Sequence, residues 1–260
     1  MRFKLILEVY AHAFGNKLPI NYQYEQSAVI YRILSQGSRE YADWLHENGF
    51  RLENGKNFKL FTYSPLKISE RKILREEERI LLFSQTVEWE ISFLPDKTTE
   101  KFIQGLFAKQ TFEIGDKKST VQFRVQKVEV VPAPEYKSTM YLEAMSPICL
   151  KIKREDGGTD YISPEDARAK EVILYGLLGR YESFYGKPYL GDTTFDFIPE
   201  GECKKKLIKI KVGTKEETGV VGYKCKFTVN APTELMKILY ESGIGEQCSQ
   251  GFGCVRERKG

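Results

Sequence analysis

The stretch that most constrains the fold is Gly243-Ile244-Gly245-Glu246-Gln247-Cys248-Ser249-Gln250-Gly251-Phe252-Gly253-Cys254-Val255. Four glycines at fixed offsets follow an amphipathic helical pattern and lead into a short final strand. Glycine adopts positive φ without strain and has no side chain to keep another backbone away. Such a loop can aim successive N–H groups at an anion. The competing interpretation is a helix that ends at Gly243 and a tight connection after it.

The chain ahead of this loop repeats one order of elements. The first half predicts a strand at about 2–10, helices at 23–36 and 39–46, strands within 58–93, a helix at 98–109 and strands up to 131. After Pro132-Ala133-Pro134, the pattern predicts a strand at 141–152, a long helix from Ser163, two strands around a turn at 213–219 and a helix at 231–242. The order matches βαββαβ in each half. We therefore predict an α+β fold of two tandem ferredoxin-like, RRM-like domains, residues 1–133 and 134–260.

Composition limits the classes of function. The chain has 260 residues, 41% hydrophobic, and a net charge of +4, so a polyanion site must be a local patch. Five cysteines without C-x-x-C spacing predict reduced thiols rather than a disulfide framework or a zinc site. Two histidines and no carboxylate set with metal spacing predict neither metal nor cofactor. Apolar runs are too short for a membrane helix, and we expect a cytoplasmic protein without a signal peptide.

Three polar residues form the candidate catalytic group. His46 lies fifteen residues after Tyr31 and thirteen before Lys59. Histidine suits general acid or base work, tyrosine can donate or accept a proton, and lysine stabilises a developing dianion. Such a group can cleave RNA without a metal through attack by the ribose 2′-OH. The structural alternatives are a histidine that complements a helix dipole, a tyrosine in a core and a lysine in solvent.

Three stretches resemble the CRISPR-associated endoribonucleases that process repeat RNA, the sixth Cas family of the RAMP superfamily. Asn21-Tyr22-Gln23-Tyr24 precedes the helix of Tyr31, and Tyr41–His46 is followed by Lys59–Ser64. The C-terminal loop matches the family pattern G-x-G-x5-G-F-G-x-hydrophobic at every defined position. The resemblance spans essentially the whole chain.

The resemblance implies a metal-independent cut within each repeat of a CRISPR transcript, which leaves a 5′-hydroxyl and a 2′,3′-cyclic phosphate or 3′-phosphate. It places Tyr31, His46 and Lys59 on catalytic positions, with Lys56 as a rival for the lysine role, and leaves the acid and base roles of Tyr31 and His46 open. The implied partner is CRISPR repeat RNA, with effector-complex subunits as further partners. The chain would act as a monomer or a homodimer.

Candidate RNA-binding residues come from the glycine loop and from two alternating strands. The loop contributes Gly243, Gly245, Gly251, Phe252 and Gly253. In the strands, apolar residues alternate with lysines, and we predict that Lys209, Lys211, Lys224 and Lys226 share one face. Like charges on neighbouring strands repel, so this face would gain from an anionic partner. An ordinary solvated lysine face is the alternative.

Two other functions compete with the endoribonuclease. One is a non-catalytic RNA-binding subunit of the same superfamily, against which His46 argues. The other is a pair of ferredoxin-like domains for protein assembly, which leaves the glycine loop and the lysines unexplained.

Overall fold

A computed structural model of the chain describes residues 1–258. The N-terminal unit comprises β1 (Arg2–Val9), α1 (Ala11–Phe14), β2 (Lys17–Pro19), α2 (Gln23–Gly37), α3 (Arg39–Glu47), β3 (Phe50–Arg51), β4 (Asn57–Phe58), β5 (Phe61–Tyr63), β6 (Arg71–Leu74), β7 (Arg79–Leu82), β8 (Thr86–Phe93), α4 (Asp96–Ala108), β9 (Thr111–Gly115) and β10 (Thr120–Val131). The C-terminal unit comprises β11 (Thr139–Ala144), β12 (Lys151–Lys153), β13 (Thr159–Tyr161), α5 (Ala169–Tyr185), β14 (Asp196–Ile210), β15 (Thr218–Asn230), α6 (Thr233–Ser242), a short 3-10 helix (Cys248–Gln250) and β16 (Val255–Glu257).

The N-terminal unit is built on an antiparallel sheet of order β5-β8-β1-β10-β9. Without β9, this is the strand order of a βαββαβ ferredoxin-like unit. Alternate residues of β1, namely Phe3, Leu5 and Leu7, are buried in one core with side chains of α2 and α4. The side chains at every second position of β1 therefore pack with the apolar faces of the two helices in a single layer.

The C-terminal unit repeats the arrangement with a sheet of order β14-β15-β11-β16. Its core combines Leu142 and Phe227 of the sheet with Leu177 of α5 and Leu239 of α6, all of them fully buried. The predicted α+β fold of two ferredoxin-like units is confirmed. Residues 132–138 belong to neither sheet, and we keep 133/134 as the proposed domain boundary; the predicted second domain ends at residues 259–260, which lie outside the described residues.

Polar contacts join the two units. The guanidinium of Arg2, only 4% exposed, donates to the carbonyl oxygens of Val255 (2.6 Å) and Tyr240 (2.9 Å). The Thr62 hydroxyl donates to the carbonyl oxygen of Phe252 at 2.9 Å. Hydrogen bonds from charged, buried donors are among the stronger ones in proteins, so Arg2 stabilises the contact of β1 with α6 and β16.

Two predicted elements differ in the structure. The strand predicted at 141–152 is interrupted and forms β11 and β12. The helix predicted from Ser163 begins at Ala169, because local side chains bond the backbone before it. The Ser163 hydroxyl accepts from the Glu165 N–H, and the Asp166 carboxylate accepts from the Arg168 N–H. Such turns compete with helix formation. Within residues 1–258, no helix combines the length and apolar character needed to cross a membrane.

Candidate active site

One cleft of about 360 Å³ contains all three candidate catalytic side chains. Its walls come from α2, from the end of α3, from the segment after β4 and from the glycine loop. The lining residues are Tyr24, Ser27, Ala28, Tyr31, His46, Lys59, Ser249 and Gln250. Four of them follow the spacing i, i+3, i+4, i+7 on α2, so a single helical face forms one wall.

Tyr31 and His46 are in contact. Their ring centroids lie 5.0 Å apart with an interplanar angle of 83°, an edge-to-face pair. The ring of Tyr31 also packs edge-on against Phe61 at 5.9 Å. Burial raises the pKa of Tyr31 well above that of an ordinary tyrosine. The phenol therefore stays protonated over a wider pH range than an ordinary tyrosine, in a ring-to-ring contact with the histidine.

The end of α3 sets the position of His46. As predicted, the helix starts after Ser38, whose hydroxyl accepts a hydrogen bond from the Tyr41 N–H at 3.3 Å. The helix ends at Glu47, and the next two N–H groups, of Asn48 and Gly49, both donate to the carbonyl oxygen of Trp44, about one turn earlier. His46 thus lies in the last turn, where its carbonyl oxygen has no partner within the helix.

Lys59 supplies that missing partner. Its ammonium donates to the carbonyl oxygen of His46 at 2.7 Å. Gly49 makes room for this segment, since a Cβ there would lie 2.6 Å from the carbonyl oxygen of Phe58 and 3.0 and 3.1 Å from Cδ and Nζ of Lys59, and its φ is +59°. Burial lowers the pKa of Lys59 below that of an ordinary lysine. A half-buried ammonium in the cleft that His46 also lines is a strong electrostatic group because water screens it less than at an exposed site.

Lys56, the rival for the lysine role, lies outside this cleft. Its ammonium pairs with the Glu246 carboxylate at 2.9 Å. Burial acts to raise the pKa of Glu246, but the charges of Lys56 and then Arg180 outweigh it and lower the pKa. The geometry therefore favours Lys59 as the lysine next to His46 and gives Lys56 a contact with the glycine loop.

The glycine loop reaches the cleft through Ser249 and Gln250. The Ser27 hydroxyl donates to the Ser249 carbonyl oxygen at 2.8 Å, which fixes the loop against α2. A Cβ on Gly251 would lie 3.0 Å from Cε2 of Tyr63 and 3.1 Å from Cβ of Gln23, and the φ of Gly251 is +89°. The missing side chain lets the C-terminal loop lie directly on the N-terminal unit.

The four glycines do not form an open anion cradle. All are buried with positive φ, and the N–H groups of Gly243, Gly251 and Gly253 donate to the carbonyl oxygens of Leu239, Cys248 and Pro147. The predicted availability of these N–H groups is therefore corrected by the hydrogen bonds they already make. Phe252 is fully buried with Cys149, Ile210 and Val220, so its side chain belongs to a core rather than to an RNA surface. Gly245 lies against the Cys149 carbonyl, 2.5 Å from where its Cβ would be.

The four lysines do not share one face, contrary to our prediction. Lys209 pairs with Gly219, and Lys204 pairs with Lys224. Odd-numbered residues of β14 therefore pair with odd-numbered residues of β15, and even-numbered with even-numbered. Lys224 and Lys226, which we call the proximal pair, therefore lie on the opposite side from Lys209. Lys211 follows the end of β14 with a φ of +54°. Lys209 and Lys211, the distal pair, form ion pairs with Glu217 and Glu216.

The proximal pair lies on a basic part of the C-terminal sheet. Lys226 pairs in register with Glu143, which pairs with Arg256 on its other side. Burial, then the charges of Lys206 and Arg256, lower the pKa of Lys224. Lys226 lies in register between Glu143 and Glu200, so the charges that repel one another are those of Lys224, Lys206 and Arg256, and a bound anion would relieve that repulsion.

Arg180 contacts the glycine loop, and no sequence pattern selects it as a functional residue. This arginine of α5 is 4% exposed, and its guanidinium donates to the carbonyl oxygens of Gly243 (3.0 Å) and Gly245. No local pattern links residues so distant in sequence. Tyr24 and Ser27, by contrast, share the helical face of Tyr31, and Ser249 and Gln250 lie inside the quoted loop, so periodicity and proximity could have identified them.

Side chains that could ligate a metal do not cluster in the part of the chain that the structure describes. Within the described residues, no three or more histidine, cysteine, aspartate or glutamate side chains converge on one point. The cleft itself offers a phenol, an imidazole and an ammonium, of which the ammonium is a cation that repels metal ions. The donor set therefore suits acid–base chemistry with electrostatic stabilisation.

The paired ferredoxin-like units and the cleft with Tyr31, His46 and Lys59 define a two-domain α+β protein with a candidate acid–base site. Residues 17–129 match the family model described as CRISPR-associated protein Cas6, N-terminal, and residues 131–257 match CRISPR associated protein Cas6, C-terminal. The chain belongs to the Cas6 family.

Known relatives agree with this assignment. The chain is 31% identical to "CRISPR-associated endoribonuclease Cas6 1" of Methanocaldococcus jannaschii over 92% of this chain and 86% of the relative. It is 25% identical to "CRISPR-associated endoribonuclease Cas6" of Pyrococcus furiosus over 98% and 89%. A solved structure titled "Characterization of a Cas6-related gene from Pyrococcus furiosus" superposes with a TM-score of 0.83 over 100% of this chain and 98% of that one. Its sequence identity is 22%, so this likeness concerns the fold.

Proposed function

We propose that this chain is a repeat-specific, metal-independent endoribonuclease that cleaves CRISPR precursor RNA into guide RNAs. The observation that carries the proposal is the single cleft that contains Tyr31, His46 and Lys59. The names of the two relatives above, both CRISPR-associated endoribonucleases, support the substrate class.

The geometry suggests a role for each group. His46 accepts the proton of the ribose 2′-OH, and the 2′-oxygen attacks the adjacent phosphorus. Tyr31, kept neutral by burial, donates its proton to the departing 5′-oxygen as the P–O5′ bond breaks. The Lys59 ammonium stabilises the negative charge that develops on the phosphorane oxygens. The products are a 2′,3′-cyclic phosphate and a 5′-hydroxyl, so atoms and charge balance without a metal.

RNA contact extends beyond the cleft in this proposal. Ser249 and Gln250 contact the RNA at the cut, while the buried glycines Gly243, Gly245, Gly251 and Gly253 and the core residue Phe252 hold the loop in place. The proximal pair contacts phosphates on the C-terminal sheet. The distal pair contributes less to RNA binding, because both lysines already form ion pairs with glutamates.

We also propose a cytoplasmic protein whose main partner is CRISPR repeat RNA. Binding to effector-complex subunits and the choice between monomer and homodimer stay predictions. Light scattering of the free protein and of its RNA complex distinguishes the two oligomeric states.

The test is single-turnover cleavage of repeat RNA in excess chelator. We expect wild-type cleavage to persist, and a deoxyribose just upstream of the cut to abolish it. His46→Ala should lose about 10²–10⁴-fold in rate with little change in affinity. Lys56→Ala is the matched control for Lys59→Ala and should lose much less.

Two outcomes would contradict the proposal. Cleavage that stops in chelator and returns with magnesium would overturn the mechanism. A wild-type protein that binds repeat RNA tightly but never cuts it, or His46→Ala at the wild-type rate, would favour the non-catalytic RNA-binding subunit.

A further inference from the structure

The long hairpin of β14 and β15 packs on two different cores along its length. Near the ends of the hairpin, Phe227 belongs to the main core of the C-terminal unit. Closer to the turn, Val220 packs instead with Phe252 of the glycine loop in a separate small core. Between these parts the pairing register shifts from Glu200 to Lys204. Residues 201–203, which we call the hairpin bulge, therefore mark the place where the hairpin passes from one core to the other.

Two cysteines meet at the hairpin bulge. Cys203 is its last residue, and Cys225 lies opposite, between Lys224 and Lys226 of β15. Cys225 is buried in the main core of the C-terminal unit, and the half-buried Cys203 packs against the same core. Cα atoms of opposed residues in antiparallel strands lie about 4.5–5.5 Å apart, which is within the roughly 4.4–6.8 Å that a disulfide can bridge. Strand pairing therefore brings these two thiols together.

The two thiols also affect each other. Burial raises the pKa of both, and after burial the largest influence on each thiol is the other one. The remaining cysteines, Cys149, Cys248 and Cys254, are buried elsewhere in the C-terminal unit. Cys203 alone among the five is not buried. An oxidant from solution therefore reaches Cys203 first, and Cys225 is the thiol beside it.

We propose that Cys203 and Cys225 form a redox site that hydrogen peroxide converts from a dithiol into a disulfide. The Cys203 thiolate attacks one peroxide oxygen, the O–O bond breaks, and a sulfenic acid and one water result. The Cys225 thiolate then attacks the sulfur of Cys203, the S–O bond breaks, and a second water leaves. The two thiols lose two electrons and two protons in total, which the peroxide takes up.

The disulfide would lock the hairpin where it changes core. The part of the hairpin near the turn contacts the N-terminal unit, because the Lys209 N–H donates to Oδ1 of Asn21 at 3.2 Å and Tyr24 packs against the small core. Asn21 and Tyr24 flank the start of α2, which forms one wall of the catalytic cleft. A covalent bond between residues 203 and 225 restricts the unfolded chain. Oxidation therefore stabilises the hairpin that supports α2, whether or not the chain cleaves RNA.

The experiment follows thiols and thermal stability in the full chain. Wild type, Cys203→Ser, Cys225→Ala and the matched control Cys149→Ser are treated with hydrogen peroxide under native conditions, and the excess is removed with catalase. Free thiols are then alkylated after denaturation, and peptides are mapped by mass spectrometry without reduction. Half of each sample is reduced again with dithiothreitol before its melting temperature is measured.

We expect wild type to lose two of its five free thiols and to yield a peptide that joins Cys203 to Cys225 within one chain. Its melting temperature should rise by about 5–10 °C and return on reduction. Cys149→Ser should behave in the same way, and Cys203→Ser should show neither change. In Cys225→Ala, Cys203 should stop at the sulfenic acid, which dimedone traps; if this variant does not fold, Cys203→Ser carries the comparison.

The results can contradict the proposal in two ways. Five free thiols after a treatment that fully oxidises glutathione, or a bond mapped to any other pair of cysteines, would overturn the redox site. A mapped bond between Cys203 and Cys225 that leaves the melting temperature unchanged would overturn its stabilising role.

Discussion

Replacement of Gly251 by alanine tests whether the glycine loop is a structural bridge between the two units. At a φ of +89°, a residue with Cβ costs about 1–2 kcal/mol relative to glycine. The added Cβ would also lie 3.0–3.1 Å from atoms of Tyr63 and Gln23, and overpacking of this kind costs about 1–3 kcal/mol. We therefore expect Gly251→Ala to lower the free energy of unfolding by about 2–5 kcal/mol.

A control variant separates the cost of the contact from the cost of the backbone conformation. Gly157 has a φ of +82° but no atom within 4 Å of its would-be Cβ, so Gly157→Ala should cost only the backbone component, about 1–2 kcal/mol. Urea unfolding of both variants, followed by tryptophan fluorescence and by circular dichroism, measures the difference. Equal losses in Gly251→Ala and Gly157→Ala would refute the argument that the loop lies on the N-terminal unit.

Three further predictions concern charge and position. In Lys59→Arg, the alkaline decline of the cleavage rate should move to higher pH: burial lowers the pKa of Lys59, so its charge is lost below the roughly pH 10.4 of an ordinary lysine, whereas arginine stays charged. An unmoved decline in the pH–rate profile would remove Lys59 from the mechanism. Gly49→Ala should slow cleavage, because the new Cβ would press on the Phe58 carbonyl oxygen and on the Lys59 side chain and so move Lys59 away from the His46 carbonyl; RNA affinity should be retained in a filter-binding assay, and a wild-type rate would count against this contact. Glutamine at both residues of the proximal pair should flatten the salt dependence of log K by about 0.7–0.9 per lost phosphate contact, and the same change in the distal pair much less. Equal slopes for the two double variants would mean that the opposite faces bind RNA alike.

The sequence predicts those features that depend on short-range periodicity. Ser38 before α3 is a local capping signal, and the structure has the hydrogen bond it implies. Tyr31 lies on a face of α2 whose members recur every three to four residues, so its place in the cleft follows from the helix alone. The cap of α3 and the grouping of Tyr31 with Tyr24, Ser27 and Ala28 need no knowledge of the second domain, whereas Ser249 and Gln250, which complete the cleft, do.

Other features depend on register or on contacts between distant segments. The lysine prediction failed because alternation along each strand says nothing about which parity faces which across a hairpin. That parity depends on the number of residues in the turn, here seven between Ile210 and Thr218, which pairs odd positions with odd ones. Arg180 and Gly243 are likewise joined only by packing of α5 against the loop. No local pattern in a single sequence indicates the pairing of the two strands or the contact of Arg180 with the loop.

The glycine motif combines both kinds of information. Its spacing is visible in the sequence, where an open row of N–H donors and a tight connection after a helix are the two competing interpretations. In the structure, Gly245 and Gly253 lie where the loop passes other backbone, such as the Ile244 carbonyl oxygen, 2.0 Å from where a Cβ of Gly253 would be, and Gly251 lies against the side chains of Tyr63 and Gln23. The residues of the loop that enter the cleft are Ser249 and Gln250, which lie between the glycines. The motif therefore specifies the path of the backbone, and this path places the side chains of Ser249 and Gln250 in the candidate active site.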